Sequence, residues 1–225
     1  MKKALLLMAL FAGSLLSANA QTADYLTAYV KPGAQKQLAI QLKNNDNYTA
    51  FQMTIKLPTT MSFTADDPVL SDRADATTCH NLYFNKVDDQ TMKVAVFSAD
   101  NIEGTPTTGN LAFKNAEKNV LLLVNVNATG AFDASQITVS DIEFVKLSSN
   151  VEENLTGKEL AVTAKGLLGD VKKDGELSTL DATYVLRKYA GQTLNDYDSE
   201  AEDMNLDGEL STLDATAILK EYARQ

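Results

Sequence analysis

The nine residues Gly175-Glu-Leu-Ser-Thr-Leu-Asp-Ala-Thr183 recur letter for letter as Gly208-Glu-Leu-Ser-Thr-Leu-Asp-Ala-Thr216. An identity of that length, 33 positions apart in a chain of 225, marks an internal duplication. It restricts the C-terminal quarter to two copies of one supersecondary unit. Each copy follows an aspartate-bearing approach, Asp170-Val-Lys-Lys-Asp174 and Asp203-Met-Asn-Leu-Asp207. The unit therefore reads D-x-x-x-D-G-x-L-S-x-x-D, twice.

The spacing has a chemical reason. A calcium ion takes six to eight oxygens, and a twelve-residue loop supplies them from positions 1, 3, 5, 7, 9 and 12, with glycine at 6 for a sharp turn. Positions 1, 5 and 12 are Asp170, Asp174 and Asp181 in the first copy and Asp203, Asp207 and Asp214 in the second. Glu176 and Glu209 at position 7 offer backbone carbonyls, and Ser178 and Ser211 at position 9 a hydroxyl or a bridging water. Position 3 differs between copies: Asn205 can ligate, whereas the ammonium of Lys172 repels a cation and weakens the first of the two expected sites. Leu177 and Leu210 at position 8 point away from the ion and can pack against each other.

Each loop feeds a helix. Ser178 and Ser211 suit the N-cap, and Asp181 and Asp214 three residues later complete an approximate capping box near the positive end of the helix dipole. The apolar positions 182, 185, 186 and 189, and again 215, 218, 219 and 222, follow helical spacing, and Gly191 is a stop signal. Gly166-Leu-Leu-Gly169 is too short to be a helix ahead of the first loop.

Duplicated loop-plus-following-helix units of this kind resemble the dockerin family over residues 166–225. The resemblance implies a small calcium-dependent helical module that plugs into a cohesin domain. It further implies that recognition lies at positions 10, 11 and 18 of each repeat, here Thr179, Leu180 and Arg187, and Thr212, Leu213 and Lys220. Because the two sets are nearly the same, either helix is expected to engage the partner.

The N-terminus reads as an export signal. Met1-Lys2-Lys3 is basic, Ala4 to Leu16 is apolar, and Ala18-Asn19-Ala20 is an A-x-A cleavage pattern, so residues 1–20 resemble a bacterial signal peptide. The apolar run is shorter than the roughly 20 residues a membrane span needs. The expected location is secreted, extracellular or at the cell surface. Net charge is −10, and from Gly166 onward 13 acids face 6 bases, which makes nucleic acid an unsuitable partner. The single Cys79 can form no internal disulfide, and it and the single His80 make neither a zinc site nor a nucleophile–base–orienter set. Both read as structural.

Residues 21–164 alternate at the period of a β-strand. Leu38, Ile40 and Leu42 share a face opposite Gln37, Gln41 and Lys43, and Phe51, Met53, Ile55 and Leu57 repeat the pattern. Val94 and Val96, then Val120, Leu122, Val124 and Val126, continue it. Polar turn clusters lie between, at Lys31-Pro-Gly33, Asn44-Asn-Asp-Asn47, Val87-Asp-Asp-Gln90 and Gly104-Thr-Pro-Thr-Thr-Gly109. Short strands at that spacing predict an all-β antiparallel sandwich followed by a small all-α module. A final edge strand is expected at Ile142–Phe144, and one last strand within Lys158–Lys165. The order of pieces over residues 24–147 resembles cohesin domains and the related carbohydrate-binding sandwiches.

Two roles for the sandwich follow. In the first, the chain is a non-catalytic assembly or adhesion protein of an extracellular polysaccharide-handling complex, its residues 165–225 docking into a cohesin domain of another chain or into its own sandwich. In the second, the sandwich binds glycan and the C-terminal module tethers it. Tryptophan is absent from the chain, leaving Tyr25, Tyr29, Tyr48 and Tyr83 as candidate sugar platforms, although strand tyrosines more often pack. Catalysis is not expected. Asp66-Asp67, Asp88-Asp89 and Asp141 fall mainly in apparent turns rather than as two carboxylates across a cleft.

Overall fold

The structure is a computed structural model and describes residues 24–74, 80–98, 112–113, 119–147 and 155–225. Residues 1–20, read from the sequence as a signal peptide, Cys79, the expected turn at 104–109 and the segment 148–154 lie outside the described residues. The strands are β1 (Tyr25–Lys31), β2 (Lys36–Lys43), β3 (Tyr48–Lys56), β4 (Met61–Phe63), β5 (Val69–Leu70) and β6 (His80–Lys86). They continue as β7 (Thr91–Ser98), β8 (Val120–Ala128), β9 (Thr138–Leu147), β10 (Leu155–Glu159) and β11 (Val162–Leu167). Two helices follow, α1 (Thr179–Tyr189) and α2 (Thr212–Tyr222).

Among the described residues the strands form two sheets. One runs β11-β1-β2-β8-β4 with β5 also on β8, and the other runs β10-β9-β3-β7-β6. Alternation sets what lies between them. Phe51, Met53 and Ile55 of β3, Met92, Val94 and Val96 of β7, and Leu38, Ile40 and Leu42 of β2 join one buried cluster. His80 is buried and stacks on Phe113 with ring centroids 4.6 Å apart, a packing role as expected.

Among the described residues the expected antiparallel order holds for every strand pair but one: β1 and β11 run parallel, Tyr29 opposite Gly166 and Val30 opposite Leu167. Ile142–Phe144 is no edge, because β9 lies between β3 and β10. The segment read as one last strand contains parts of two, β10 and β11, in different sheets. The expected boundary at 164/165 falls inside β11.

On β1 and β2 the alternation fails for a physical reason. Thr27, Tyr29, Ala39 and Gln41 share the outer face of the first sheet, yet all are buried, and Thr27 Oγ1 donates to Gln41 Oε1 at 3.0 Å. The C-terminal module covers this side. Tyr29 belongs to the same cluster as Leu168, Val171, Leu177, Val185, Met204 and Ile218. Its hydroxyl donates to Asp198 Oδ2 at 2.8 Å, and that of Tyr25 to Glu200 Oε1 at 3.0 Å. Lys43 pairs with Glu200 at 3.6 Å, and the N–H of Leu168 reaches the Val30 carbonyl at 2.8 Å.

Within the module, α1 and α2 pack over that small core. Leu177 is buried and Leu210 half-buried in it, the inward role expected of position 8. Gly169 (φ +92°) sits where a Cβ would come within 2.8 Å of Leu177 and 3.2 Å of Ile218, so the chain enters the first loop by a close approach only glycine permits.

Candidate functional site

Both loops are held by their own aspartates. In the first, Asp170 is buried and its carboxylate accepts from the N–H of Asp174 at 3.2 Å and of Gly175 at 2.8 Å. Asp181, fully buried at the other end, accepts from Lys172 N at 3.2 Å, Ser178 N at 2.9 Å and Ser178 Oγ at 2.8 Å. The second loop repeats this. Asp203 accepts from Asp207 N at 3.0 Å and Gly208 N at 2.9 Å, and Asp214 from Asn205 N at 3.2 Å and Ser211 N at 2.8 Å.

The turn is made by two departures from ordinary backbone, separated by one residue. Gly175 and Gly208 at position 6 have φ of +86° and +93°, as position 6 requires. Position 4 is also left-handed, at Lys173 (+58°) and Leu206 (+64°), although neither residue favours it. Sequence reasoning missed this strain because no glycine or asparagine marks the position.

Each helix starts as its sequence predicts. Ser178 and Ser211 are N-caps with complete capping boxes to Asp181 and Asp214, so these two aspartates serve the cap and the loop together. The first helix ends before Gly191 at φ +80°.

The carboxylates of Asp170, Asp174 and Asp181 each bring an oxygen within 4.8 Å of the others, an arrangement able to hold a divalent cation. Crowding is visible in the acidities. Burial, with repulsion from Asp181 and Asp174, pushes the Asp170 carboxyl up, and burial, with repulsion from Asp214 and Asp207, does the same to Asp203. Asp174 moves the other way because the Lys172 ammonium lies 2.6 Å from its Oδ2 and holds it down. Asn205 Nδ2 takes the equivalent contact, 2.7 Å from Asp207 Oδ2. Glu176 and Glu209 are exposed, and their N–H groups donate to Asp174 Oδ1 at 3.3 Å and Asp207 Oδ1 at 3.0 Å.

Thr179, Leu180, Arg187, Thr212, Leu213 and Lys220 are all exposed. Leu180 at 52% and Leu213 at 60% are not packing residues of the module. Arg187 bonds Gln192 Oε1 at 2.8 Å and lies over the Tyr184 ring. The structure adds four residues to this surface. Leu186, Tyr189, Leu219 and Tyr222, which share the helical apolar spacing, are exposed, and the helices are anchored by Ala182, Val185, Ala215 and Ile218. A helix on a core this small buries only a narrow seam.

Residues 168–222 match the family model of the dockerin type I domain, as the two loops lead one to expect. No curated protein matches the chain. Among solved structures the chain is similar to the non-cellulosomal cohesin of the hyperthermophilic archaeon Archaeoglobus fulgidus, at 14% identity and a TM-score of 0.40 over 63% of this chain and 88% of that one. It is also similar to the sixth cohesin of scaffoldin B from Acetivibrio cellulolyticus, at 14% identity and a TM-score of 0.45 over 64% and 97% of the two chains. A third similar structure is the seventh ScaB type I cohesin of Pseudobacteroides cellulosolvens, at 10% identity and a TM-score of 0.45 over 63% and 90%. Among the described residues no helix is long and apolar enough to cross a membrane.

Proposed function

We propose that this chain is an exported, non-catalytic assembly protein whose residues 168–225 act as a dockerin module, binding calcium and docking by the exposed helix faces into a cohesin domain of an extracellular polysaccharide-handling complex. The observation that carries the reading is the pair of loops with matching hydrogen bonds, each folded around its aspartates at positions 1 and 12 and each opening a capped helix. The sandwich, whose last strand β11 runs to Leu167, carries the module, and residues 1–20 serve export.

Asp170, Asp174 and Asp181 would hold the ion in the first loop, with the Glu176 carbonyl and Ser178. In the second, Asp203, Asn205, Asp207 and Asp214 would hold it, with the Glu209 carbonyl and Ser211. Calcium supplies the positive charge that carboxylates packed this closely lack. The chain's own part is to keep the loops nearly closed beforehand: the N–H groups of Asp174, Gly175, Asp207 and Gly208 already orient the position-1 carboxylates. For a dissociation constant near 1 μM in about 1 mM calcium, mass action contributes roughly 4 kcal/mol, a large share for a module of this size.

Leu180 with Thr179 and Arg187, and Leu213 with Thr212 and Lys220, present equivalent faces on α1 and α2, related by the duplication. Calorimetry of the full chain against a cohesin domain, with calcium and then with EDTA, tests the proposal. Binding is expected only with calcium. Alanines at Thr179 and Leu180 alone should leave it largely intact, and alanines at both pairs should abolish it. Loss of all binding from one pair would contradict the equivalence of the two faces.

A further inference from the structure

We propose that the outer face of the β10-β9-β3-β7-β6 sheet is an oligosaccharide-binding groove organised on Tyr83, a site separate from the calcium loops and their helices. The strand register builds it. Across β6, β7, β3 and β9 one outward row reads Tyr83, Ala95, Gln52, Glu143, and the next reads Asn85, Lys93, Thr54 and then Ser140 and Asp141. Ala95 is the small member of its row, so the face is hollow there, between the Tyr83 ring on one side and Thr54 and Asp141 on the other. The hollow measures about 450 Å³, within the range of small-molecule sites.

Tyr83 is braced for use as a platform. Phe97 lies diagonally from it, and the two rings are parallel to within 3° with centroids 4.9 Å apart. Both remain large exposed aromatics, at 55% and 41%. Phe97 does not line the hollow while Tyr83 does, so stacking on Phe97 fixes the tyrosine ring as one wall.

The opposite wall is built at a cost in backbone strain. Asp141 and Ile142 together oppose Met53, a β-bulge, and Asp141 adopts φ +51°. That left-handed conformation in a non-glycine strand residue is sparsely populated and is retained where a side chain must be re-aimed. Here it brings the Asp141 carboxylate to the hollow, where Oδ2 accepts from Thr54 Oγ1 at 2.8 Å. A second hollow of about 720 Å³ shares Gln52 and Asp141 and continues past Glu143 and Gly157 to Lys158, giving the groove length. A Cβ at Gly157 would lie 2.6 Å from the Glu143 carboxylate, so glycine keeps this stretch open.

The ligand class follows from the lining. A pyranose ring has an apolar C–H face and a rim of hydroxyls that both donate and accept. The braced ring of Tyr83 meets the first, and the amides of Gln52 and Asn85 with the carboxylate of Asp141 meet the second. An anionic ligand would face Asp141 and Glu143, and an apolar helix would bury these polar groups without partners. The length of the groove favours a neutral oligosaccharide chain over a single sugar.

Native affinity electrophoresis of the full chain tests this, in gels cast with mixed-linkage β-glucan, arabinoxylan, galactomannan or xyloglucan, each run in EDTA beside a gel without polysaccharide. At least one polysaccharide should retard the protein with calcium removed. Tyr83→Ala should weaken that retardation about tenfold or more, Tyr83→Phe should keep most of it, and Asp141→Asn should weaken it without moving the thermal melt. Absence of retardation in every gel, retardation that needs calcium, or a folded Tyr83→Ala protein retarded like the parent would overturn the groove. The calcium-dependent docking reading would stand in each of these cases, because it is measured against a cohesin domain.

Discussion

Lys172 Nζ sits 2.6 Å from Asp174 Oδ2 in the first loop, and in the second the amide of Asn205 stands in the same relation to Asp207 Oδ2, at 2.7 Å. One contact delivers a full positive charge to the position-5 carboxylate, and the other a neutral donor whose own oxygen remains a potential ligand. The ammonium is thus a tethered rival to any ion in the first loop. The Lys172→Asn protein should gain a second tight calcium site, so that calorimetry moves from one strong and one weaker binding event to two of similar strength. A change of about tenfold or more in the weaker constant is expected. Identical isotherms before and after the substitution would show that Lys172 swings clear without cost.

Metal removal should affect the two halves of the chain unequally. The helices are eleven residues each, too short to persist alone, and their N-caps Ser178 and Ser211 are bonded to Asp181 and Asp214, which also belong to the loops. EDTA should therefore reduce the helical circular dichroism near 222 nm and lower the melting temperature of the module, leaving the β signal of the sandwich in place. A helical signal indifferent to chelation would count against calcium as the closing agent.

The Tyr29–Asp198 bond joins the sandwich to the segment between the two repeats. Burial, and then the neighbouring Asp198 carboxylate, push the Tyr29 hydroxyl up, so it stays a donor throughout the working pH range. Tyr29→Phe should destabilise the module by about 1.5–3 kcal/mol, the range for a hydrogen bond to a charged acceptor. Tyr29→Ala, which also empties part of the shared cluster, should split a single urea transition into two, with helix lost first. One unchanged transition in Tyr29→Ala would mean that the halves are coupled by other contacts.

Asp24 gives the fold an acid-sensitive point. Burial pulls its carboxyl up, yet the Tyr48 hydroxyl at 2.6 Å, the N–H groups of Asn45 and Asp46, and the Lys158 ammonium outweigh it and bring it from 3.8 to about 2. A folded value below the unfolded one contributes stability above about pH 4, which is lost as pH falls toward 2. Melting temperature should decline through that window, and Asp24→Asn should lower it at pH 7 while flattening the decline. A parent and variant with parallel profiles from pH 7 to pH 2 would remove Asp24 from this role.

The loops were legible because their bonds are local. Asp170 reaches Gly175 five residues on, Ser178 reaches Asp181 three residues on, and Leu177 has only to point away from the ion, so the spacing of residue types carries the geometry. The strands of the sandwich were legible by the same logic, as period-two runs of Phe51, Met53 and Ile55 or Val94 and Val96. What the local pattern could not express was which side of an element another element would cover.

Gln41 and Tyr29 read as an outward polar residue and a strand tyrosine, and both are buried because the C-terminal module folds back over β1 and β2. Leu186 and Tyr189 follow the same helical spacing as Ala182 and Val185 yet are exposed, since the seam between two short helices is filled by Val185, Ile218 and the alanines. Asp141 read as a turn residue, yet it occupies a bulge inside β9 whose presence depends on the register with β3, nearly ninety residues away in sequence. The helix caps and the hydrogen bonds that close the loops were thus set by the sequence within a dozen residues. Exposure, sheet partnership and the groove beside Tyr83 were decided by contacts between distant segments, since burial belongs to the assembled surface and no residue carries it alone.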